Sequence, residues 1–244
     1  MNHIYTLAEI ILKRKKKRKP TFCCFLDIAK AYDTVWRKGL CKKLKDIGIN
    51  ANFIQSIRDI YDNVKSSVLV PDRRTSWFDL NIGLRQGCVL SPLLFLIFIN
   101  DLIKELKNTT IGVEMGAGVL NNLVFADDVV LLANNKGELQ ALLSIAEKYA
   151  RTWNFTFNTK KCKVIVFTKR DAAPEIRLYG ECLEVVKEYR YLGVWFDVDL
   201  SWKLHKETIL AKAKKRAYTM MGFGVCRLLV TGFSIPCCFV LTLL

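Results

Sequence analysis

The sequence predicts an α+β domain in which an antiparallel sheet packs on helices. Strand-like and helix-like segments alternate irregularly, and hairpin signals join neighbouring strands. No regular strand–helix alternation indicates a doubly wound parallel sheet, and no internal repeat or Gly/Ser-rich linker marks a domain boundary. With 244 residues and 51% hydrophobic residues, the chain can bury a substantial core, which excludes wholesale disorder.

Hydrophobic period, caps and turn residues predict the elements of the first half of the chain. Gly48 suits the C-terminal end of one helix, Asn50 the N-cap of the next, and Ser91 with Pro92 the start of a third. In chain order the predicted elements are a helix over about 4–13, a buried strand over 21–27, helices at about 37–47 and 51–62, strands Val64–Val70 and Ser76–Ile82 around a turn at 71–72, and a core helix over about 92–106.

The second half is predicted to be richer in strands. Two apolar runs flank Ala126-Asp127-Asp128, which indicates a β-hairpin with two acids at its tip. The predicted elements are strands at 111–115, 119–125 and 129–133, an amphipathic helix over about 136–154, a strand over Lys163–Phe167, short strands within 176–196 with a turn at Tyr179-Gly180, and a basic helix over about 201–221.

Charge points to a polyanionic partner. The formal net charge is +15, and both a nucleic acid and an anionic membrane surface would complement it. The basic run Lys13–Lys19 has three interpretations: a solvated loop that ends a helix, a phosphate-contacting loop, or a nuclear-import patch.

The nine cysteines do not predict zinc, because no CxxC pair occurs and only His3 and His205 could add ligands. Several cysteines lie in apolar runs, which is typical of reduced, buried thiols in an intracellular protein.

The early basic cluster follows a short apolar stretch, the wrong order for a secretory signal peptide. The apolar segment Leu228–Leu244 is a marginal membrane segment, a buried helix or a foreign tail, and we expect no membrane span.

Three acids are candidates for catalysis. Asp127 and Asp128 lie between two very apolar strands, and Asp27 ends a third. Adjacent carboxylates repel each other unless a cation lies between them, and oxygen ligands without His or Cys favour Mg²⁺ or Mn²⁺. If the strands are neighbours, the acids form a two-metal site. The alternative is an ordinary turn, since turns are rich in Asp for conformational reasons.

Five segments, in order, resemble the palm motifs of reverse transcriptases of non-LTR (LINE-like) retrotransposons, over about residues 3–197. They are FLDIAKAYDTV at 25–35, GLRQGCVLSPLLFLIFINDL at 83–102, FADD at 125–128, FNTKKCKVIVF at 157–167 and YRYLGVWFD at 189–197. The resemblance implies a polymerase palm-like antiparallel sheet packed on helices, with the fingers mostly missing and a partial thumb. The implied divisions are a basic fingers remnant over 1–20, the palm over 21–200, a partial thumb helix over 201–227 and an apolar tail over 228–244.

The resemblance also implies roles for the three acids and one lysine. Asp27 and Asp127 would be the principal ligands of both metal ions, with Asp128 beside them in a less direct role. Lys161 falls on the motif's lysine position, where it would act as general acid toward the pyrophosphate leaving group.

Further positions are implied for the substrates. Tyr32 falls on the steric-gate position that selects deoxynucleotides, although a core tyrosine at the start of a helix is an equal alternative. Gln86 and Gly87 would line the nucleotide and template pocket, with Leu93–Ile99 behind them as core. Tyr191, Leu192 and Gly193 would form the turn that grips the primer end.

The function implied is that of an RNA-directed DNA polymerase, a nucleotidyltransferase that extends a DNA primer with dNTPs on an RNA template, in the nucleus or cytoplasm. A catalytically inactive nucleic-acid-binding remnant is the alternative. A membrane-associated protein that uses the basic run and the apolar tail is a third hypothesis.

Overall fold

The computed structural model describes residues 3–116, 118–168 and 174–222, without the side chains of 220–222. The predicted tail at 228–244 lies outside these residues. The helices are α1 (His3–Lys16), α2 (Arg37–Asp46), α3 (Ala51–Tyr61), α4 (Ser91–Lys107), α5 (Lys136–Thr152) and α6 (Lys203–Gly222). In the part of the chain that is described, none of these helices is long and apolar enough to cross a membrane.

The strands include most of the predicted ones within a few residues of their expected bounds. They are β1 (Thr21–Asp27), β2 (Lys65–Ser66), β3 (Leu69–Val70), β4 (Arg73–Arg74), β5 (Phe78–Asp79), β6 (Val113–Met115), β7 (Gly118–Leu120), β8 (Asn122–Phe125), β9 (Asp128–Ala133), β10 (Lys163–Phe167), β11 (Arg177–Leu178), β12 (Glu181–Cys182), β13 (Glu184–Val185), β14 (Glu188–Tyr191) and β15 (Val194–Asp197).

A five-stranded sheet forms the centre of the fold, in the order β13-β10-β1-β9-β8. β1 pairs antiparallel with β9 on one side and with β10 on the other, so it is the central strand. β13, the edge strand next to β10, runs parallel to it, so the sheet contains one parallel pair among antiparallel ones. The predicted α+β class with an antiparallel sheet is otherwise confirmed.

Successive side chains of β1 point to opposite faces of the sheet, so the strand lies between two layers of the hydrophobic core. Cys24 and its even-numbered neighbours pack against α2, α4 and α5, whereas Cys23 and Phe25 face α1 and the β14–β15 hairpin. Both Cys23 and Cys24 are fully buried. The continuous apolar run of β1, which predicted a strand buried on both faces, is explained by these two layers.

Capping predictions for the first helices are confirmed, and the one for α4 is wrong by a residue. The Asn50 side chain accepts a hydrogen bond from the Asn52 N–H, and Gly48 takes a left-handed φ of 83° just after α2. Ser91 lies inside α4, not at its N-cap, and its hydroxyl donates to the Arg85 carbonyl oxygen at 2.6 Å. Ser91 therefore ties the preceding loop to the helix.

The two long strands expected around the turn at 71–72 form one hairpin broken in the middle. Pairs β2–β5 and β3–β4 are separate, although Thr75 and Val68 exchange hydrogen bonds between them. A bond from the Leu80 N–H to the Val64 carbonyl closes its base at 2.8 Å. We refer to residues 64–80 as the protruding hairpin.

The basic run is partly structural. α1 extends to Lys16, and the buried Arg14 side chain donates to the Thr21 hydroxyl at 2.8 Å and to the Pro20 carbonyl at 2.6 Å. Lys15 pairs with Asp199 at 3.3 Å. Arg14 therefore joins α1 to β1 and is not available to a phosphate.

Candidate active site

The β8–β9 hairpin brings the predicted acids together. β8 ends at Phe125 and β9 begins at Asp128, so Ala126 and Asp127 form the connection. Ala126 has a left-handed φ of 53°, a strained conformation for a non-glycine residue that is often found at functional turns. Asp27, the last residue of β1, lies directly opposite Asp128 in the sheet register. Asp27 and Asp128 therefore lie side by side where β1 ends and β9 begins. We call this end of the two strands, together with Asp127, the acidic edge of the sheet.

Repulsion among these acids is visible at Asp128. Burial raises the pKa of its carboxyl, and the negative charges of Asp127 and Asp27 raise it further. The fold thus holds Asp128 in a position where its charged form is disfavoured. A cation placed against these carboxylates would relieve the repulsion.

The segment after α5 fixes the backbone of Asp27 on both sides. The Asn158 N–H donates to the Asp27 carbonyl at 2.8 Å, and the Asp27 N–H donates to the Cys162 thiol sulfur at 3.5 Å. Burial raises the pKa of the Cys162 thiol to about 11, so the sulfur is a neutral acceptor at physiological pH. Neither residue was singled out from the sequence, although both lie in the FNTKKCKVIVF segment.

Lys161 brings positive charge to the same point. Its Nζ lies 3.5 Å from Oδ2 of Asp27, and its side chain is 66% exposed. The neighbouring Lys160 forms no ion pair with any acid among the described residues. Lys161 is therefore the lysine that reaches the acidic edge of the sheet.

The donors suit a hard divalent cation, since carboxylate oxygens are the ligands that Mg²⁺ and Mn²⁺ prefer. Burial raises the pKa of the Asp128 carboxyl, and the charges of Asp127 and Asp27 add to the rise, so a cation at this point would favour the charged form. However, no group of three or more His, Cys, Asp or Glu side chains among the described residues is arranged to hold a metal ion. Asp27 and Asp128 form a cross-strand pair, and Asp127 is exposed in the adjoining turn.

Two tyrosines of β14 cover the face of the sheet beside these acids. Tyr189 stacks on Phe25 with ring centroids 4.3 Å apart, and burial, Asp128 and Asp27 raise its pKa to about 12. Tyr191 is 2% exposed, and its buried hydroxyl has no hydrogen-bond partner among the residues that the structure describes. The Tyr191 ring is therefore part of the core, and Tyr189 is a site neighbour that the sequence reasoning missed.

The predicted primer-gripping turn is a tight hairpin connection. Leu192 and Gly193 join β14 to β15 with left-handed φ values of 46° and 85°. Gly193 is exposed, whereas Leu192 is partly buried against the core layer that contains Tyr191. Contact with a primer remains a prediction for these residues.

Tyr32 lies in a turn after β1 and not at the start of a helix, since α2 begins only at Arg37. Its ring stacks on Phe95 of α4 with centroids 5.3 Å apart and is partly exposed. Tyr32 therefore contributes to the core, as one alternative expected, while part of its side chain remains accessible.

The loop with Gln86 and Gly87 is exposed beside this turn. The Gln86 amide lies 3.4 Å from the Asp33 carboxylate, and Gly87 has a φ of 84° with open space where a Cβ would be. Behind the loop, Leu94, Phe95, Phe98 and Ile99 of α4 are buried as predicted. Leu93 and Leu96 are exposed, because a helix of this length has an outward side.

Arg37 holds the segment just before this loop in place and was missed by the sequence reasoning. Its guanidinium donates to the carbonyls of Tyr61, Leu80, Ile82 and Gly83 at 2.6–3.0 Å. No motif signals such a residue, because its partners are backbone atoms 24 to 46 positions away along the chain.

Comparison with protein families gives one match that covers most of the chain. A model of the family "Reverse transcriptase (RNA-dependent DNA polymerase)" matches residues 3–196. The chain is 30% identical over 210 residues to an RNA-directed DNA polymerase from the mobile element jockey of Drosophila funebris. It is also 30% identical over 172 residues to a retrovirus-related Pol polyprotein from a type-1 retrotransposable element R2 of Nasonia vitripennis.

These matches cover 83% and 70% of this chain but 22% and 17% of the two relatives, so the chain spans about a fifth of their length. Among solved structures, apo telomerase from Candida tropicalis truncated from its C-terminal domain superposes with a TM-score of 0.57. The sequences are 16% identical, and the superposition covers 82% of this chain and 38% of the telomerase. At that identity the likeness concerns the fold alone.

Proposed function

This chain belongs to the reverse transcriptase family, and on that premise we propose that it is the catalytic palm of an RNA-directed DNA polymerase of a non-LTR retrotransposon. Its reaction is the extension of a DNA primer with dNTPs on an RNA template. The observation that carries the proposal is the register of Asp27 opposite Asp128, next to Asp127.

Polymerases of this family generally use divalent metal ions, and we assign Mg²⁺ or Mn²⁺ to this chain. Asp27, Asp127 and Asp128 are the residues that would hold the ions. When bound, the ions neutralise the triphosphate and favour attack by the primer 3′-hydroxyl. No zinc is assigned.

The remaining residues position substrates and move a proton. Lys161 donates a proton to the departing pyrophosphate, and its ion pair with Asp27 supports this role. Tyr32 limits space at the nucleotide sugar, and Gln86 and Gly87 form the exposed loop that faces the base and template. The turn at Leu192 and Gly193 contacts the primer.

Primer extension tests the proposal directly. The purified chain is given an RNA template, an annealed DNA primer, dNTPs and Mg²⁺, and incorporation is followed on a gel. We expect Asp127→Ala to abolish incorporation while it leaves template–primer affinity nearly unchanged. Glu181→Gln, an exposed acid on β12, is the matched control and keeps full activity. Incorporation by the Asp127→Ala variant would contradict the assignment.

A second candidate is a nucleic-acid-binding remnant without activity. It is favoured by the net charge of +15, which suits nucleic acid whether or not the chain catalyses a reaction. The remnant binds template–primer in a salt-sensitive way that does not depend on Mg²⁺, and it incorporates nothing. Mg²⁺-dependent incorporation by the wild-type chain would exclude it.

A further inference from the structure

The protruding hairpin leaves two aromatic side chains largely exposed in the described structure. Trp77 is 60% exposed and Phe78 45% exposed, and Leu69 near the tip is 76% exposed. An isolated two-stranded hairpin is only marginally stable in water, so a surface of this kind is expected to have a binding partner.

Positive charge lies beside these rings. The guanidinium carbon of Arg74 lies 5.4 Å from the centroid of the Trp77 ring. Within the described residues, neither Arg73 nor Arg74 forms an ion pair, whereas Lys65 at the base pairs with Asp79 at 3.9 Å. The two arginines near the tip are therefore available to an anionic partner.

Exposed aromatic rings next to unpaired arginines match the chemistry of single-stranded nucleic acid. Bases stack on aromatic rings and on guanidinium planes, while arginines contact the phosphates. A protein partner is less well matched, because paired strands of two residues give little edge for strand addition.

The hairpin is also joined to the candidate active site. Arg37 binds the Leu80 carbonyl at its base, and the next residues run directly to the loop at 86–87. On the way, the Leu84 N–H donates to the Tyr32 carbonyl at 2.7 Å. A strand that leaves the nucleotide pocket on this side would pass the base of the hairpin.

We propose that the protruding hairpin is a stacking surface for single-stranded RNA, in which Trp77 and Phe78 receive bases and Arg73 and Arg74 contact phosphates. The proposal rests on the proposed function, because the strand it names is the unpaired part of the template.

The test is binding of a fluorescently labelled, U-rich RNA of twelve nucleotides to the full chain in EDTA, followed by anisotropy. We expect Trp77→Ala to weaken binding by about 5- to 150-fold, the range typical of one lost base–aromatic stack. Trp77→Phe keeps most of the affinity, since a ring remains. Phe53→Ala is the matched control, because Phe53 is 52% exposed on α3, outside the hairpin.

A blunt RNA duplex is the second probe, and its affinity changes less than about twofold in Trp77→Ala because paired bases do not stack on the indole. Equal losses for Trp77→Ala and Phe53→Ala would overturn the proposal. Equal losses for single strand and duplex would do the same. Unchanged RNA affinity together with loss of self-association in sedimentation would instead assign the hairpin to a protein contact.

Crosslinking of wild-type protein to 5-iodouridine RNA avoids any folding defect in a variant. Crosslinks at Trp77 or Phe78, mapped by mass spectrometry, support the proposal, and crosslinks confined to other regions overturn it. Neither assay needs Mg²⁺ or dNTPs. A chain that binds through the hairpin but fails in primer extension therefore removes the proposed activity only, and the opposite result removes the hairpin proposal only.

Discussion

Among single residues, Asp27 has the most closely defined surroundings. Its backbone is bonded on both sides by Asn158 and Cys162, its side chain pairs with Lys161, and its cross-strand neighbour is Asp128. The acids were found from sequence because charged residues at the ends of apolar strands are conspicuous. The hydrogen bonds to the Asp27 backbone could not be predicted from sequence, because they depend on how a segment much later in the chain packs against β1.

Replacing Asp128 by asparagine is expected to stabilise the metal-free chain. Burial and the two neighbouring acids raise the pKa of Asp128, so its charged form costs stability that grows as pH rises above the ordinary value of 3.8. In EDTA at pH 7, Asp128→Asn should raise the melting temperature by on the order of 2 °C.

The gain should shrink toward pH 3.8 and below, where the carboxyl of the wild-type protein is already neutral. Thermal denaturation, followed by circular dichroism, measures the gain in melting temperature at pH 7 and its decrease at lower pH. An equal gain in Glu181→Gln, or a gain that does not depend on pH, would speak against repulsion as the cause.

Replacing Tyr32 by valine is expected to relax sugar selection in an active polymerase. The shorter side chain leaves room for a 2′-hydroxyl, so the ratio of ribonucleotide to deoxynucleotide incorporation should rise by about tenfold or more. Tyr32→Phe keeps the ring and its stack on Phe95, and it should keep the wild-type ratio. Unchanged selectivity in Tyr32→Val would leave Tyr32 as a core residue only.

Among the elements, the turn after β1 and the loop before α4 approach each other too closely to leave room for a side chain at Gly83. A Cβ at Gly83 would lie 2.7 Å from the Asp33 carbonyl oxygen, and Gly83 has a φ of 84°. Gly48 has nearly the same φ, 83°, but a Cβ added there would meet no atom within 4 Å. Substitution of Gly48 therefore tests the cost of the left-handed backbone alone, whereas substitution of Gly83 adds the cost of the close contact.

Both Gly48→Ala and Gly83→Ala are expected to cost about 1 kcal/mol of unfolding free energy for the left-handed backbone. Gly83→Ala should cost roughly a further 2 kcal/mol, because the two segments must move apart. Urea denaturation of the two variants gives the difference. Equal losses would show that the contact at Asp33 is soft.

The bounds of an element were predicted well where a single local feature of the sequence determines them. β1 and β10 have the predicted bounds, since short apolar runs end at clear polar boundaries. The protruding hairpin was predicted as two longer strands, because β-propensity does not show that the Val68 N–H is bonded to the Thr75 side chain instead of to a backbone carbonyl. The parallel addition of β13 to β10 was not predicted, since no local pattern specifies a partner across the chain.

At the scale of the whole molecule, the net charge of +15 dominates the expected behaviour toward nucleic acid. If about six phosphates are neutralised, affinity for template–primer should fall by about 10³-fold between 50 and 200 mM salt. Fluorescence anisotropy at several salt concentrations gives the slope. A shallow slope would mean that few of the lysines and arginines contact the backbone.

The fold class and the family were predictable from sequence because the motifs occur together and in order. The closeness of Asp27 to Asp128, 101 positions apart, followed only from the resemblance until the register was seen. The covering of the acidic edge by Tyr189 also required the tertiary arrangement, since strand periodicity alone does not indicate which hairpin lies above it.

The cysteine pair at the centre of β1 provides an intrinsic reporter of folding. Cys23 and Cys24 face opposite layers, so they cannot form a disulfide with each other, and burial raises the pKa of both thiols. A maleimide can label Cys23 only when the layer of α1 and the β14–β15 hairpin opens, and Cys24 only when the layer of α2, α4 and α5 opens. Their labelling rates, read against exposed Cys182, therefore measure how often each of the two layers opens when this chain is studied by itself.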